Sequence, residues 1–410
     1  MRPAPDGGGA APPAPPPLAR YGALSMGYFA AIGLFNPYAP LWFQSLGYST
    51  LLIGTIASLQ SWTRVVAPYA WSWLGDHGGQ RVRLIRWSAA GALLSALALL
   101  GVQSAVPVAA VVTLMFLANS AIVPLSEALL AQLLSTARGV DPARYGRVRM
   151  WGSIGFIASV TLFGALLERL GIAIFPAFVA AMNGLLLVAA LRLPAGREEV
   201  RHAAPAPAVW PTLRRPAVAW FFASVFFTVL AHTSLYAFFS LYCVEQGYGK
   251  AAVGALWAVS VAMEVAAFAT QGRWYPWLTP LGWLRVVAWV SVLRFVATAG
   301  GGASAWVLVL AQAAHAVTFA AHHATCIGLV QRHFPDRLRS RGQALYTTLG
   351  YGLSGVLGGV GGGWLISQVG FAAVFWAAAG CALAATVCVQ RARHAEQRDP
   401  PAPTPATPAG

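Results

Sequence analysis

Residues 41–54, LWFQSLGYSTLLIG, and residues 241–254, LYCVEQGYGKAAVG, align without a gap at an offset of 200. Each stretch lies between two long apolar segments, at the end of the first and the start of the second. The identical positions are Leu41 and Leu241, Gly47 and Gly247, Tyr48 and Tyr248, and Gly54 and Gly254. The chain is therefore predicted to consist of two halves that repeat the same order of elements.

Long apolar segments recur along the whole chain, which is 58% hydrophobic and only 10% charged, with a mean hydropathy of +0.62. A soluble domain carries about 25% charged residues. Each segment is close to the ~20 residues that a helix needs to cross the hydrocarbon core, where only helices and closed barrels satisfy the backbone. Helices are predicted at 21–45, 51–74, 84–102, 107–134, 147–168, 172–192, 216–244, 251–272, 282–300, 304–330, 341–366 and 371–390.

The predicted fold is an all-α integral membrane protein with twelve transmembrane helices in two pseudo-symmetric six-helix bundles. The bundles comprise residues 21–192 and 216–392, and a polar linker, 193–215, joins them. The tails, 1–20 and 393–410, are rich in proline and are expected to be disordered. Parallel six-helix repeats are typical of secondary transporters, whose solute site lies between the repeats near the middle of the membrane.

The basic residues predict the orientation in the membrane. Of the 27 lysines and arginines, 23 fall on the side of the two termini, and two, Arg169 and Lys250, fall on the opposite side. Because basic loops stay in the cytoplasm, we expect a bacterial inner-membrane protein with both termini cytoplasmic. The net charge of +15 thus reflects topology, and no nucleic-acid partner is expected.

Ionisable residues inside predicted helices are candidate functional residues, because a charge at the bilayer centre costs about 2.5–3.5 kcal/mol or more. Arg64 and Glu264 lie at the same offset of 200 in the second helix of each half, and we expect them to pair across the halves. Glu264 shares a helix face with Trp257, which indicates the lining of a cavity.

Two more charged side chains fall in apolar segments. Glu127 lies in the fourth predicted helix and Arg294 in the ninth. A carboxylate withdrawn from water can carry a proton near neutral pH, so Glu127 and Glu264 are candidates for proton coupling. Arg294 requires a carboxylate partner or a carboxylate substrate. For each of these charges, a structural ion pair is the alternative interpretation.

Histidines in the tenth and seventh predicted helices are further candidates. His315 and His322 are seven residues apart, on one face of an α-helix, and histidine titrates in the range that suits a proton relay. His232 shares its face with Tyr236, and both are candidate substrate contacts. The histidines alternatively suggest a haem or metal enzyme, but ligands at the spacing of a metal site are missing from the sequence. We therefore expect no metal and no cofactor.

The segment SWLGDHGGQRVR, residues 72–83, follows the second predicted helix. It resembles the loop signature of the major facilitator superfamily, with Asp76, Gly79, Arg81 and Arg83 at matching positions and Ser72 where that signature has glycine. The resemblance implies that this loop acts as a cytoplasmic gate when the two halves rock.

The segment YGRVRMWGSIGF, residues 145–156, resembles the start of the fifth helix in the lactose permease type of proton symporters. The resemblance implies that Arg149 binds substrate together with Glu127. Ser153 and Phe156 share the face of Arg149 and complete the predicted substrate contacts. Phe156 stands where the sugar permeases have tryptophan, which argues against lactose as the substrate.

Over nearly its full length, the chain is similar to the 3-phenylpropionic acid transporter group of the superfamily. The similarity includes PLSEAL around Glu127, AHTSLYAF around His232, the Glu264 segment, Arg294 and the histidines of the tenth helix. It implies a monomeric proton-coupled symporter, not an enzyme, that binds protons and a small aromatic carboxylate such as 3-phenylpropionate. The alternatives are a sugar or nucleoside symporter, an efflux antiporter, the haem or metal enzyme, and a sensor that transports nothing.

Overall fold

A computed structural model describes residues 18–78, 80–136, 139–194, 208–335 and 338–398. The long helices in these ranges are numbered α1 to α12 in chain order. They are Leu18–Ser45, Thr50–Gly78, Arg81–Gly101, Ala105–Leu133, Ala143–Leu170, Ile172–Leu191, Pro216–Glu245, Lys250–Ala269, Pro280–Gly301, Ala305–His333, Arg339–Val369 and Phe371–Arg398. Two short antiparallel strands, β1 (Ser135–Thr136) and β2 (Gly139–Val140), lie between α4 and α5.

The helices have the dimensions of membrane spans. Helices α3 to α12 are long and apolar enough to cross a bilayer. Helices α1 and α2 have 28 and 29 residues, and at about 1.5 Å per residue they exceed the roughly 30 Å of the hydrocarbon core. The predicted fold of twelve transmembrane helices in two six-helix bundles is thus confirmed, and the protein crosses the membrane many times.

The sequence repeat corresponds to a repeat in the backbone. Gly47 ends α1 with φ +80°, and Gly247 ends α7 with φ +88°, a left-handed conformation that favours glycine. The next residue closes the helix in the same way in both halves. The N–H of Tyr48 donates to the Phe43 carbonyl at 3.2 Å, and the N–H of Tyr248 donates to that of Cys243 at 3.0 Å.

Several predicted boundaries differ from the observed ones. Helix α1 begins at Leu18, inside the predicted N-terminal tail, and α12 continues to Arg398, beyond the predicted start of the C-terminal tail at residue 393. An ion pair between Arg332 Nη1 and Glu396 Oε1, 2.9 Å long, ties the end of α12 to α10. The rest of both tails and residues 195–207 of the linker lie outside the described part of the chain. A short helix, Trp210–Leu213, occupies the end of the linker.

Helices α2 and α11 join the two halves through glycine and small hydroxyl side chains. A Cβ atom at Gly54 would overlap the carbonyl oxygen of Gly359, so the two backbones are in direct contact there. The Oγ1 of Thr50 donates to the Gly363 carbonyl at 2.9 Å, and the Oγ of Ser58 donates to a carbonyl of α11 at 2.9 Å. Small residues permit such close packing of membrane helices.

A second seam joins α5 to α8. The carboxylate of Glu168, near the end of α5, accepts hydrogen bonds from the backbone N–H groups of Lys250 and Ala251. A side chain of one half thereby caps the first turn of a helix in the other half. Both seams join the ends of the helices that lie away from the two termini. The structure is therefore closed on the face opposite the termini.

Replacement of Glu168 by alanine should favour the state that is open on this opposite face, because the carboxylate caps α8 only while the halves are in contact. Loss of such a cap costs about 1 kcal/mol, or a roughly fivefold change in population. Spin labels at Gln44→Cys and Val244→Cys, the exposed ends of α1 and α7, report the separation of the halves. An Arg169→Ala variant serves as the control for loss of a neighbouring charge. A distance distribution that is identical in Glu168→Ala and in Arg169→Ala would show that the cap does not hold this face closed.

Candidate functional site

Arg294, on α9, lies in the interior of the C-terminal bundle with only 3% of its surface exposed. Its Nη1 donates to Nδ1 of His315 at 3.0 Å and to Oγ1 of Thr318 at 2.7 Å, and its Nη2 donates to Oε1 of Gln312 at 2.7 Å. All three acceptors are neutral side chains of α10. In the described part of the chain, no carboxylate contacts this guanidinium directly.

His315 links Arg294 to a carboxylate. A guanidinium can only donate, so Nδ1 of His315 must accept, and the ring proton is assigned to Nε2. Nε2 faces Oε2 of Glu264, on α8, at a distance of 3.7 Å. A neutral imidazole thus stands between a buried cation and a carboxylate, whose side chain is 23% exposed. Arg294 thus reaches a carboxylate through one histidine, and its predicted need for a carboxylate partner or substrate stays a prediction.

A π-helical segment in α10, Ala316–Ala321, determines which side chains meet. The ring of His315 stacks on Phe319 with centroids 5.0 Å apart, and Phe319 stacks on His323 at 5.9 Å. His322, in contrast, contacts Cys326 through its Nε2 at 3.3 Å. The shared face predicted for His315 and His322 is therefore wrong, because a π segment turns less per residue than an α-helix. A role of His322 in proton coupling stays a prediction.

His232 lies beside His315, with ring centroids 6.3 Å apart. Its Nδ1 donates to the Thr228 carbonyl at 2.7 Å, because a carbonyl can only accept. Its ring packs edge-on against Phe295 at 5.2 Å, and its Nε2 is buried without a partner among the described residues. His232 is thus held by α7 with one ring nitrogen unused.

Tyr236 and Trp257 form an aromatic wall next to His315. Their rings stack with centroids 6.3 Å apart and planes 21° apart, and Tyr236 also packs edge-on against His315. The indole N–H of Trp257 donates to Oγ of Ser240 at 3.2 Å, and only 5% of this residue is exposed. The structure thus brings Tyr236, Trp257, His232, Glu264 and Arg294 together around His315.

The N-terminal bundle holds a second pair of opposite charges. Nη1 of Arg149, on α5, lies 2.6 Å from Oε1 of Glu127, on α4, and the two side chains are 41% and 36% exposed. The hydroxyl of Tyr145 also hydrogen-bonds Glu127. The guanidinium of Arg149 lies over the ring of Phe29, 5.4 Å from its centroid. The structure brings Arg149 and Glu127 into contact, and their joint binding of a substrate stays a prediction.

This ion pair lines a small, partly open cavity between α1, α4 and α5. Aromatic side chains of α1 form one wall: Tyr21, Tyr28 and Phe29. Ser153 and Phe156 lie further along α5, and Phe156 packs on α1 at Gly33 instead of lining this cavity. Their roles as substrate contacts stay predictions.

The two charged clusters influence each other electrostatically across the halves. The charge of Arg149, in the N-terminal half, interacts with Glu264 and with His323 in the C-terminal half. The side chain of Arg64 lies outside the described part of the chain, so its pairing with Glu264 stays a prediction. Among the described residues, the ion-pair contact of Glu264 is with His315.

The predicted gate loop is only partly described. The side chain of Asp76 and the whole of Gly79 lie outside the described part. Arg81 begins α3 with its side chain buried beside Gly75. Nη1 of Arg83 donates to Oε1 of Gln80 at 3.1 Å, and its guanidinium lies over the ring of Trp87 at 4.3 Å. The role of this loop as a gate stays a prediction.

Sequence reasoning missed several side chains of the two clusters. Gln312 precedes His315 by three residues, and an amide in an apolar segment was a usable signal. Tyr145 lies just before the predicted start of the fifth helix at residue 147, in a predicted loop. For Phe29 and Tyr28, the sequence offers no signal that separates them from packing residues.

Comparison with known proteins agrees with this architecture. The family model described as "MFS_1 like family" matches residues 19–377. The chain is 29% identical over 377 residues to a probable 3-phenylpropionic acid transporter of Escherichia coli (strain K12), which covers 88% of this chain and 95% of that protein. It is 28% identical over 368 residues to the maltose permease of Geobacillus stearothermophilus, which covers 85% and 87%.

Solved structures of transporters share the fold. A mutant of the nucleoside transporter NupG superposes with a TM-score of 0.80 at 16% identity, over 92% of this chain and 99% of that chain. A POT family transporter in complex with 5-aminolevulinic acid gives a TM-score of 0.73 at 10% identity, over 91% and 94%.

The fold, the family match and the relatives agree on one class of protein. The relatives are transporters and not enzymes, and they carry small molecules across membranes. This chain likewise is a multi-pass membrane transporter. It belongs to the MFS_1 like family of the major facilitator type.

Proposed function

We propose that the protein is a proton-coupled symporter of a small aromatic carboxylate that works by alternating access. The observation that carries this proposal is the ion pair of Arg149 and Glu127 in a partly open cavity with aromatic walls. An exposed arginine inside a membrane protein is a ready partner for a substrate carboxylate. The phenyl ring of the substrate would pack against Phe29 and Tyr28.

Coupling follows from competition for Arg149. While Glu127 is ionised, it occupies the guanidinium at 2.6 Å. A proton on Glu127 removes this negative charge and releases Arg149 for the substrate. Substrate and proton then favour the same loaded state, which is the thermodynamic requirement for symport.

The C-terminal half supplies a second site in which a glutamate that can be protonated balances the charge of an arginine. Arg294 is balanced by Glu264 only through the neutral ring of His315. Protonation of Glu264 would leave Arg294 without a counter-charge, and a bound carboxylate in the gap would then restore the balance. Each half thus offers one arginine and one glutamate that can exchange a proton for a substrate anion.

The conformation of the structure fits one end of the transport cycle. The seams α2–α11 and α5–α8 close the face away from the termini. If the basic loops place both termini in the cytoplasm, the closed face is periplasmic. The structure then corresponds to an inward-facing state, and transport requires these seams to open.

The choice of substrate rests on the relatives and on the aromatic walls. A probable 3-phenylpropionic acid transporter matches most of the chain, and the cavity combines a cation with aromatic rings. The maltose permease and the nucleoside transporter NupG make a hydroxyl-rich solute the alternative. Competition of maltose and of a nucleoside with labelled 3-phenylpropionate separates these possibilities.

Replacement of Glu127 by glutamine should abolish gradient-driven accumulation of labelled 3-phenylpropionate in proteoliposomes, at least tenfold, because the proton site is lost. Exchange of labelled for unlabelled substrate, which needs no net proton movement, should persist, because Arg149 is still present. Accumulation and exchange are measured in the same vesicles at pH 7.5.

A Glu396→Gln variant is the matched control, since it removes a glutamate that pairs with Arg332 at 2.9 Å outside the cavity. It should accumulate substrate like the unmodified protein. Wild-type accumulation by Glu127→Gln would refute the role of Glu127. Absence of both accumulation and exchange in the unmodified protein would refute the aromatic-acid assignment.

Replacement of His315 by alanine should destabilise the protein, because it separates Arg294 from Glu264, the carboxylate that it reaches among the described residues. An unbalanced buried charge costs about 3–5 kcal/mol, which should lower the Tm in detergent. A His322→Ala variant removes a buried histidine of the same helix that does not contact Arg294, and it should lower the Tm less.

The double variant His315→Ala, Arg294→Met provides the decisive comparison. It removes the charge along with the histidine, so its Tm should lie above that of His315→Ala alone. If the double variant is less stable than His315→Ala, or if His322→Ala loses as much, charge balance is not what His315 contributes.

A further inference from the structure

His323 has a hydrogen-bonded position that the scheme above does not use. Its Nδ1 lies 3.3 Å from the hydroxyl of Tyr346, on α11, and that hydroxyl lies 3.2 Å from the hydroxyl of Tyr351. The His323 ring stacks on Phe319 with planes 8° apart and packs edge-on against Phe268. Neighbours on three helices therefore fix the orientation of the imidazole.

The hydroxyl chain assigns the tautomer of His323. Tyr346 is buried, with 4% of its surface exposed, so its O–H needs an acceptor inside the protein. Nδ1 of an imidazole is a stronger acceptor than a phenol oxygen, so the O–H of Tyr346 donates to Nδ1, and the Tyr346 oxygen accepts from the O–H of Tyr351. The proton of the neutral His323 ring then resides on Nε2.

Nε2 of His323 is available for a ligand. Among the described residues it has no hydrogen-bond partner, and the side chain is only half-buried. Arg149, in the opposite half, acts electrostatically on this imidazole. The two side chains thus lie within electrostatic range of each other in opposite halves, one with a guanidinium and the other with a fixed N–H donor.

We propose that His323 is the C-terminal half's contact with the substrate, and that its Nε2–H donates to the carboxylate that Arg149 binds. This inference rests on the proposed transport of an aromatic carboxylate and names a further binding residue for it. A carboxylate has two oxygens, so it can accept from both halves at once. Such a bridge stabilises the loaded state in which the halves are close, and the site should bind carboxylates more tightly than neutral analogues.

Two amide substitutions separate the ring nitrogens of His323. The amide of asparagine takes the place of Nδ1 and can keep the contact with Tyr346, whereas that of glutamine reaches the place of Nε2 and can keep the donor. His323→Asn should therefore weaken binding of 3-phenylpropionate about tenfold, the usual effect of losing a hydrogen bond to a charged group. His323→Gln should stay within about threefold of the unmodified protein.

The neutral analogue 3-phenylpropanol separates a binding role of His323 from a structural one. A purely structural role would leave the ratio of the affinities for the acid and the alcohol unchanged. The affinity for the alcohol should fall by less than threefold in His323→Asn, because the alcohol lacks the anionic acceptor. Equal losses for the acid and the alcohol would show that His323 only supports the fold. Tyr346→Phe, which frees Nδ1, should weaken acid binding less than His323→Asn does.

Binding is measured by scintillation proximity with labelled 3-phenylpropionate on the purified full-length protein, after the Tm of each variant has been compared. If the unmodified protein binds the acid and His323→Asn binds it equally well, the inference about His323 is overturned while the proposed function stands. If the unmodified protein binds neither acid nor alcohol, the proposed function fails and the inference fails with it. If His323→Asn does not fold, His323→Leu, which also removes the Nε2–H donor, carries the same comparison against His323→Gln.

Discussion

The guanidinium of Arg294 imposes the main constraint on the C-terminal half. It is almost wholly buried in a helix that crosses the membrane, and its direct partners in the described part of the chain are three neutral side chains of α10. A charge in this position has to be balanced nearby, because neither lipid nor water solvates it there. The balance comes from Glu264 through His315, so three helices, α8, α9 and α10, are held in register by one charge.

The same constraint appears in a looser form in the N-terminal half. Arg149 and Glu127 are in direct contact, yet both are more than one-third exposed. An exposed pair is weak in itself, and its charges are open to exchange with a proton and an anion. In the proposed mechanism, the two halves therefore differ in role: the N-terminal pair receives the substrate, and the buried C-terminal charges respond to the charge that arrives.

The sequence indicated the architecture more completely than the site. Apolar segments, basic loops and the pair Gly47 and Gly247 define twelve helices and two halves, because each of these signals reflects a local or bilayer constraint. The contact of Arg149 with Glu127 was predicted from the resemblance to the lactose permease type of proton symporters. The π segment of α10 had no signal in the sequence, because its extra residue per turn is fixed by packing and by the contacts of Arg294 with α10. Because of this π segment, His315 connects through the stacked ring of Phe319 to His323, and not to His322 as predicted.

The central claim is that a proton moves with the substrate anion because the two share the charge of an arginine. The direct measurement is the pH of a lightly buffered suspension of proteoliposomes, without any imposed proton gradient, when 3-phenylpropionate is added outside at pH 7.5. Our account predicts that the external medium becomes alkaline faster than in protein-free vesicles, at a rate that saturates with substrate concentration. Uptake of labelled substrate by these proteoliposomes with no pH change beyond that of protein-free vesicles would contradict it.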